Sequence, residues 1–165
     1  MALKWLLQYF FFSLACLVES QTTEKKEQIK NTNKPDDPNP TGRSILVVED
    51  NQTNLDLIKY LLGTHNHNVS VARNGKEAIA QADLKKPDLI LMDIRMPIMD
   101  GFEATKILRT KQIFSKIPII ALTASAGEGS REDSLSAGCT DHISKPIQSM
   151  ELFETLSKYM KKDHQ

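Results

Sequence analysis

From Ser44 onward the chain alternates five times between a short apolar run, often β-branched, and a longer stretch with helical spacing of its apolar residues. The apolar runs are Ile45 to Val48, Val69 to Ala72, Leu89 to Met92, Ile117 to Leu122, and Ile143 with its neighbours. After the first run Asn51 stands as a helix cap ahead of Leu55, Leu57, Ile58, Leu61 and Leu62. The later helical stretches are Gly75 to about Leu84, a segment through Phe102, Ile107 and Leu108, Arg131 to Ser136, and an amphipathic segment with Leu152, Phe153, Leu156 and Tyr159. Apolar strands separated by single helices fit a parallel sheet covered on both faces, because each right-handed crossover lays its helix on a face. The expected class is α/β, a doubly wound five-stranded parallel sheet.

At 165 residues and 40% hydrophobic content, the chain can bury one core of ordinary domain size. The formal net charge is zero, which argues against direct binding of nucleic acid, since phosphate backbones call for a surplus of Lys and Arg on one face. The two cysteines, Cys16 and Cys139, have no metal-ligand spacing and suit a reducing compartment, with Cys139 read as a packing residue.

Residues 1–20 differ in kind. Trp5 to Val18 is nearly continuous apolar chain, interrupted by Gln8 and Ser13. Its length suits the apolar part of an export signal, about 7 to 15 residues, better than a bilayer span of roughly 20. Cleavage after Ser20 fits that reading. Residues 21–43 are polar, of mixed charge and broken by Pro35, Pro38 and Pro40, which reads as a flexible linker. The folded domain is expected over 44–162.

In an open parallel sheet, ligands bind outside the carboxyl ends of the strands. Here those ends carry Glu49 and Asp50, then Asp93, Thr123, and Lys145 followed by Pro146. A single Asp or Thr at a strand end is most simply a solvated turn residue. Three carboxylates, a hydroxyl and an ammonium at corresponding ends point instead to one site. Carboxylates brought together repel, which raises their pKa values or calls for a cation. A hard divalent ion such as Mg2+ takes oxygen ligands and bridges carboxylates to phosphate. Lys145 could pair with Asp93 at rest and with a phosphoryl oxygen later, while the Thr123 hydroxyl could bond another. Asp93 is then the natural nucleophile, giving an acyl phosphate.

The stretches VVEDN (Val47 to Asn51), LILMDIRMPIMDG (Leu89 to Gly101), ALTA (Ala121 to Ala124) and ISKP (Ile143 to Pro146) together resemble receiver domains of two-component systems. The resemblance covers about Ser44 to Met160 and implies a flavodoxin-like receiver fold with strand order 2-1-3-4-5. It implies that Asp93 is the phosphoacceptor, that Glu49 and Asp50 bind Mg2+ with Asp93 and the backbone carbonyl of Arg95, and that Thr123 and Lys145 sense the phosphoryl group. Glu49-Asp50-Asn51 with Asn54 following looks like receivers of hybrid kinases and phosphorelays. His142 falls where the family has a switching aromatic residue, and it also reads as a half-exposed histidine on an edge strand. His65 and His67 read as a polar turn, and Met96, Pro97 and Met99 as shapers of the loop beside Asp93.

Rival classes fit less well. A flavin mononucleotide protein would want a phosphate-cradling loop after the first strand, where Glu49 and Asp50 would repel it. A haloacid-dehalogenase-like phosphatase would want an acid two residues after the nucleophile, where Arg95 stands. A receiver-like binding module that works without phosphorylation is the alternative. The resemblance thus implies a response regulator and not an enzyme in its own right. Its phosphodonor would be a histidine kinase or a histidine phosphotransfer protein, and with no output domain after Gln165 it would act through a downstream protein effector. ATP-using kinases work in the cytoplasm, so the expected location is cytoplasmic, with a possible membrane tether through residues 3–18.

Overall fold

The structure is a computed structural model and describes residues 42–124 and 128–160. The expected N-terminal signal or anchor, the linker up to residue 41, and residues 161 and 162 of the expected domain lie outside the described residues. Five strands, β1 Ser44–Val48, β2 Asn68–Ala72, β3 Leu89–Asp93, β4 Ile119–Thr123 and β5 Asp141–Ser144, alternate with helices α1 Gln52–Gly63, α2 Gly75–Lys85, α3 Gly101–Thr110, α4 Glu128–Ser136 and α5 Ser149–Tyr159. All strand pairs are parallel and the order is β2-β1-β3-β4-β5, the doubly wound arrangement expected.

Every residue of β3 and β4 is buried, which is why these strands read as unbroken apolar runs and not as alternating ones. Successive side chains still point to opposite faces. Leu46, Val48, Ile90 and Met92 pack with Ala78 and Ala82 of α2 and with Ala104 and Leu108 of α3. Ile45, Val47, Leu89 and Leu91 pack with Leu55, Ile58 and Leu62 of α1 and with Leu152 and Leu156 of α5. Each fully buried Leu or Ile in these layers contributes about 2 kcal/mol of transfer free energy.

Local chemistry sets the boundaries. Asn51 caps α1, its side chain accepting from the Thr53 and Asn54 N–H groups, and Asp100 caps α3 by accepting from the Glu103 N–H. The fourth strand starts at Ile119 and not at Ile117, because Pro118 has no N–H to give to the ladder; its carbonyl still accepts from Ile90. The fourth helix begins at Glu128, three residues earlier than its apolar spacing suggested. Arg43 is tied to the sheet: its N–H donates to His67 Nδ1 at 3.1 Å, and its carbonyl accepts from Asn68. Among the described residues no helix is long and apolar enough to cross a membrane.

Candidate functional site

Parallel pairing brings the carboxyl ends of β1, β3, β4 and β5 to one edge of the sheet, with Val48 beside Met92, Asp93 beside Leu122, and Thr123 beside Ser144. The residues just past these ends therefore converge. Glu49 is fully buried, Asp93 and Thr123 are almost so, and Asp50 is exposed at the rim. Carboxylate oxygens of Glu49, Asp50 and Asp93 lie within 4.8 Å of one another. Lys145 reaches in from the end of β5, its Nζ 2.7 Å from Glu49 Oε2 and 2.7 Å from Asp93 Oδ2. The Arg95 N–H donates to Asp93 Oδ1 at 3.2 Å. Thr123 lines the same cleft, about 290 Å³, with Asp93, Arg95, Phe102 and Asp133.

The backbone under Asp93 is held by a close approach. The Gly101 N–H donates to the Ile94 carbonyl at 3.0 Å, and a Cβ at Gly101 would sit 2.2 Å from the Asp93 carbonyl oxygen. Only glycine lets α3 begin this near the strand end. The Met99 and Met96 side chains pack from the intervening loop onto the core, consistent with their reading as loop-shaping residues.

The electrostatics are those of a crowded anionic site. Burial pushes the Asp93 carboxyl above its ordinary value and the Glu49 charge adds to this, while the Lys145 bond and the Arg95 N–H pull the other way. For Lys145 the largest single influence is also burial, which lowers its pKa. Its hydrogen bonds and attraction to Asp93 and Glu49 outweigh that, so the ammonium ends above its ordinary value. Three carboxylates against one ammonium leave two negative charges uncompensated. Oxygen-only donors, excess negative charge and a rim open to water through Asp50 suit a hard divalent cation such as Mg2+.

His142 stands apart from this cluster. It lies on β5 beside Ala121 with its side chain about a quarter exposed, and its Nδ1 is 3.7 Å from Asp141 Oδ1. His65 and His67 occupy the turn after α1, as expected, and Cys139 is buried against Thr105. Two residues not singled out for the site join it. The Asn51 N–H and the Asn54 side-chain amide both donate to Glu49 Oε1, at 3.3 and 3.1 Å. Part of the signal was present in the sequence, since the third helical residue after a cap is placed to reach back toward that cap.

The sequence profile of the response regulator receiver domain matches residues 45–157. The polar-differentiation response regulator DivK of Brucella anthropi is 40% identical over 118 residues, 72% of this chain and 96% of that protein. The solved receiver domain of sensor histidine kinase PA1611 from Pseudomonas aeruginosa PAO1, with a magnesium ion coordinated in its active-site cleft, is 39% identical; the match covers 72% of this chain and 98% of that one, with a TM-score of 0.67. The co-crystal of the Saccharomyces cerevisiae histidine phosphotransfer signaling protein Ypd1 with the receiver domain of its downstream response regulator Ssk1 matches at 27% identity. That match has a TM-score of 0.69 and covers 74% of this chain and 94% of the matched one.

Proposed function

Since the chain belongs to the response regulator receiver domain family, with a phosphoacceptor role in two-component signalling, we propose that Asp93 is the acceptor and that Glu49, Asp50, Thr123 and Lys145 serve it. The observation that carries this reading is the setting of Asp93: a buried carboxylate at a strand end, held by Lys145 on one oxygen and the Arg95 N–H on the other. Those two contacts fix the direction in which the carboxylate faces the cleft.

In the proposed reaction an Asp93 oxygen attacks the phosphorus of a phosphohistidine. A P–O bond forms, the P–N bond breaks, and the imidazole leaves with the electron pair. Asp50, Asp93, the Arg95 carbonyl and the buried Glu49 are the groups that would hold Mg2+, which when bound neutralises charge on the transferring phosphoryl group. Lys145 exchanges its bond with Asp93 for one to a phosphoryl oxygen, and the Thr123 hydroxyl donates to another. The product is an acyl phosphate on Asp93, so the protein is a phosphoryl carrier and switch and not an enzyme acting on a separate substrate.

The donor in this reading is a histidine kinase or a histidine phosphotransfer protein, by likeness to the receiver domain crystallised with its phosphotransfer protein. Phosphorylation then biases a two-state equilibrium of the face formed by α4, β5 and α5, with His142 as the turning ring, and a downstream protein effector reads that face. The assigned place is the cytoplasm, where ATP-dependent kinases work, with residues 3–18 as a tether. The chemistry is tested by incubating the protein with a small phosphodonor, with and without Mg2+, and following intact mass. One phosphoryl group should appear with the metal and none after chelation. Labelling that ignores chelation would overturn the metal assignment, and no labelling under either condition would overturn the acceptor assignment.

A further inference from the structure

The Glu49 carboxylate is fully buried, and its two oxygens are used differently. Oε2 is held by the Lys145 ammonium at 2.7 Å. Oε1 is held by two neutral donors, the Asn51 N–H at 3.3 Å and Asn54 Nδ2 at 3.1 Å. Asn54 lies in the first turn of α1, and its own N–H is capped by Asn51 Oδ1 at 3.2 Å. The helix start is therefore joined to the site carboxylate through two consecutive contacts. In a capping box the third-position side chain would accept from the cap N–H; here the cap N–H and the Asn54 amide both donate to Glu49 instead.

We propose that Asn54 is a positioning residue: its amide fixes the Glu49 carboxylate so that Lys145 can leave it and the cation site keeps its shape. This rests on the reading of Asp93 as acceptor. In that reading Lys145 turns toward a phosphoryl group, and Glu49 must remain buried and charged without it. A buried carboxylate stripped of all its partners is destabilised most, and one that keeps two hydrogen bonds loses less. A second lysine in place of Asn54 would hold Glu49 too, but it would cancel the negative charge that attracts the cation. A neutral donor orients the carboxylate and leaves its charge intact. Leucine at this position would have about the same size and a better helix propensity, but it could not donate.

The test is a Mg2+ titration without phosphodonor, followed by backbone amide NMR shifts in the full chain, for the wild type and Asn54→Leu. Loss of an orienting contact behind a metal ligand weakens metal affinity about 10-fold or more, so the variant should show a Kd raised by about that factor with its melting temperature little changed. In the metal-free wild type, one Asn54 side-chain amide proton should exchange slowly with solvent. A Kd for Asn54→Leu within about twofold of the wild type overturns the proposal, because an orienting contact should cost more than that. Should the leucine variant fail to fold, Asn54→Ala, which fits any space asparagine leaves, is judged by the same Kd criterion. A wild type that binds no Mg2+ but is labelled on Asp93 would overturn this proposal and the metal assignment while leaving the acceptor reading standing, and a wild type that is never labelled would overturn the acceptor reading beneath it.

Discussion

Asp93 and Asp141 each hold a lysine within hydrogen-bond reach, at 2.7 and 2.9 Å, yet their carboxyls move in opposite directions. Asp93 sits at the carboxyl end of β3, its side chain 6% exposed, with Glu49 beside it, and its pKa is raised by burial first and by that neighbour second. Asp141 begins β5 at the other edge of the sheet, 20% exposed. Burial is the largest single influence there too and acts upward. Hydrogen bonds from Lys158, Tyr159 and the His142 N–H together overcome it, and the carboxyl ends below its ordinary value. The same kind of ion pair thus accompanies a raised carboxyl in one place and a lowered one in the other. What differs is the company: a second buried carboxylate at Asp93, and additional neutral donors at Asp141.

The largest way to break this contrast is to remove the lysine from the crowded site. Lys145→Ala leaves Glu49 and Asp93 buried without a cation, and the unfolding free energy measured in urea without metal should fall by about 3 kcal/mol, the scale for breaking a buried pair. A loss well below 1 kcal/mol would show that the carboxylates do not feel each other. Next in size is the response to metal. Mg2+ at about ten times its Kd should stabilise the wild type by about 1.4 kcal/mol through mass action. Asp50→Asn should lose most of that gain, and Asp141→Asn should keep all of it, as thermal unfolding with and without the ion would report.

At the structural aspartate, Tyr159→Phe removes the hydroxyl that donates to Asp141 Oδ2 at 2.9 Å. About 1 kcal/mol of stability should go with it, while phosphoryl uptake stays as in the wild type. An equal loss of uptake would join the two regions that we hold apart. The smallest effect is on pH dependence, and its sign differs between the two sites. A carboxyl with a raised folded pKa costs stability that sets in as pH climbs from its unfolded value, ordinarily 3.8, through the folded one. A carboxyl with a lowered folded pKa adds stability that is complete above 3.8 and is lost as pH falls through the folded value. Melting midpoints against pH should therefore lose their decline on the rising side in Asp93→Asn and their acid-side loss in Asp141→Asn.

Much of this was legible in the residue order because strand and helix periods alternate cleanly. The sheet class and the meeting of Glu49, Asp50, Asp93, Thr123 and Lys145 at one edge followed from where the apolar runs stop, whereas the strand order came from the family resemblance. What was not legible depends on side chains far apart in sequence. Lys158 and Tyr159 meet Asp141 across 17 and 18 residues, and no period announces such a contact. Arg109 is similar: its guanidinium donates to the Phe114, Ile117 and Gly138 carbonyls and to Thr140 Oγ1, tying the end of α3 to the approaches of β4 and β5. In the sequence it is one more charged residue near a helix terminus. Asn54 lay between these cases, since its spacing from the Asn51 cap was visible but its partner Glu49 was not.

The central claim is that Asp93 carries the phosphoryl group. Wild type and Asp93→Asn are incubated side by side with Mg2+ and a small phosphodonor, and their intact masses are compared, with peptide mapping of any label. The wild type should gain one phosphoryl group on the peptide containing Asp93, and the variant should gain none. A variant that takes up phosphate, or a wild-type label that maps elsewhere, would contradict it.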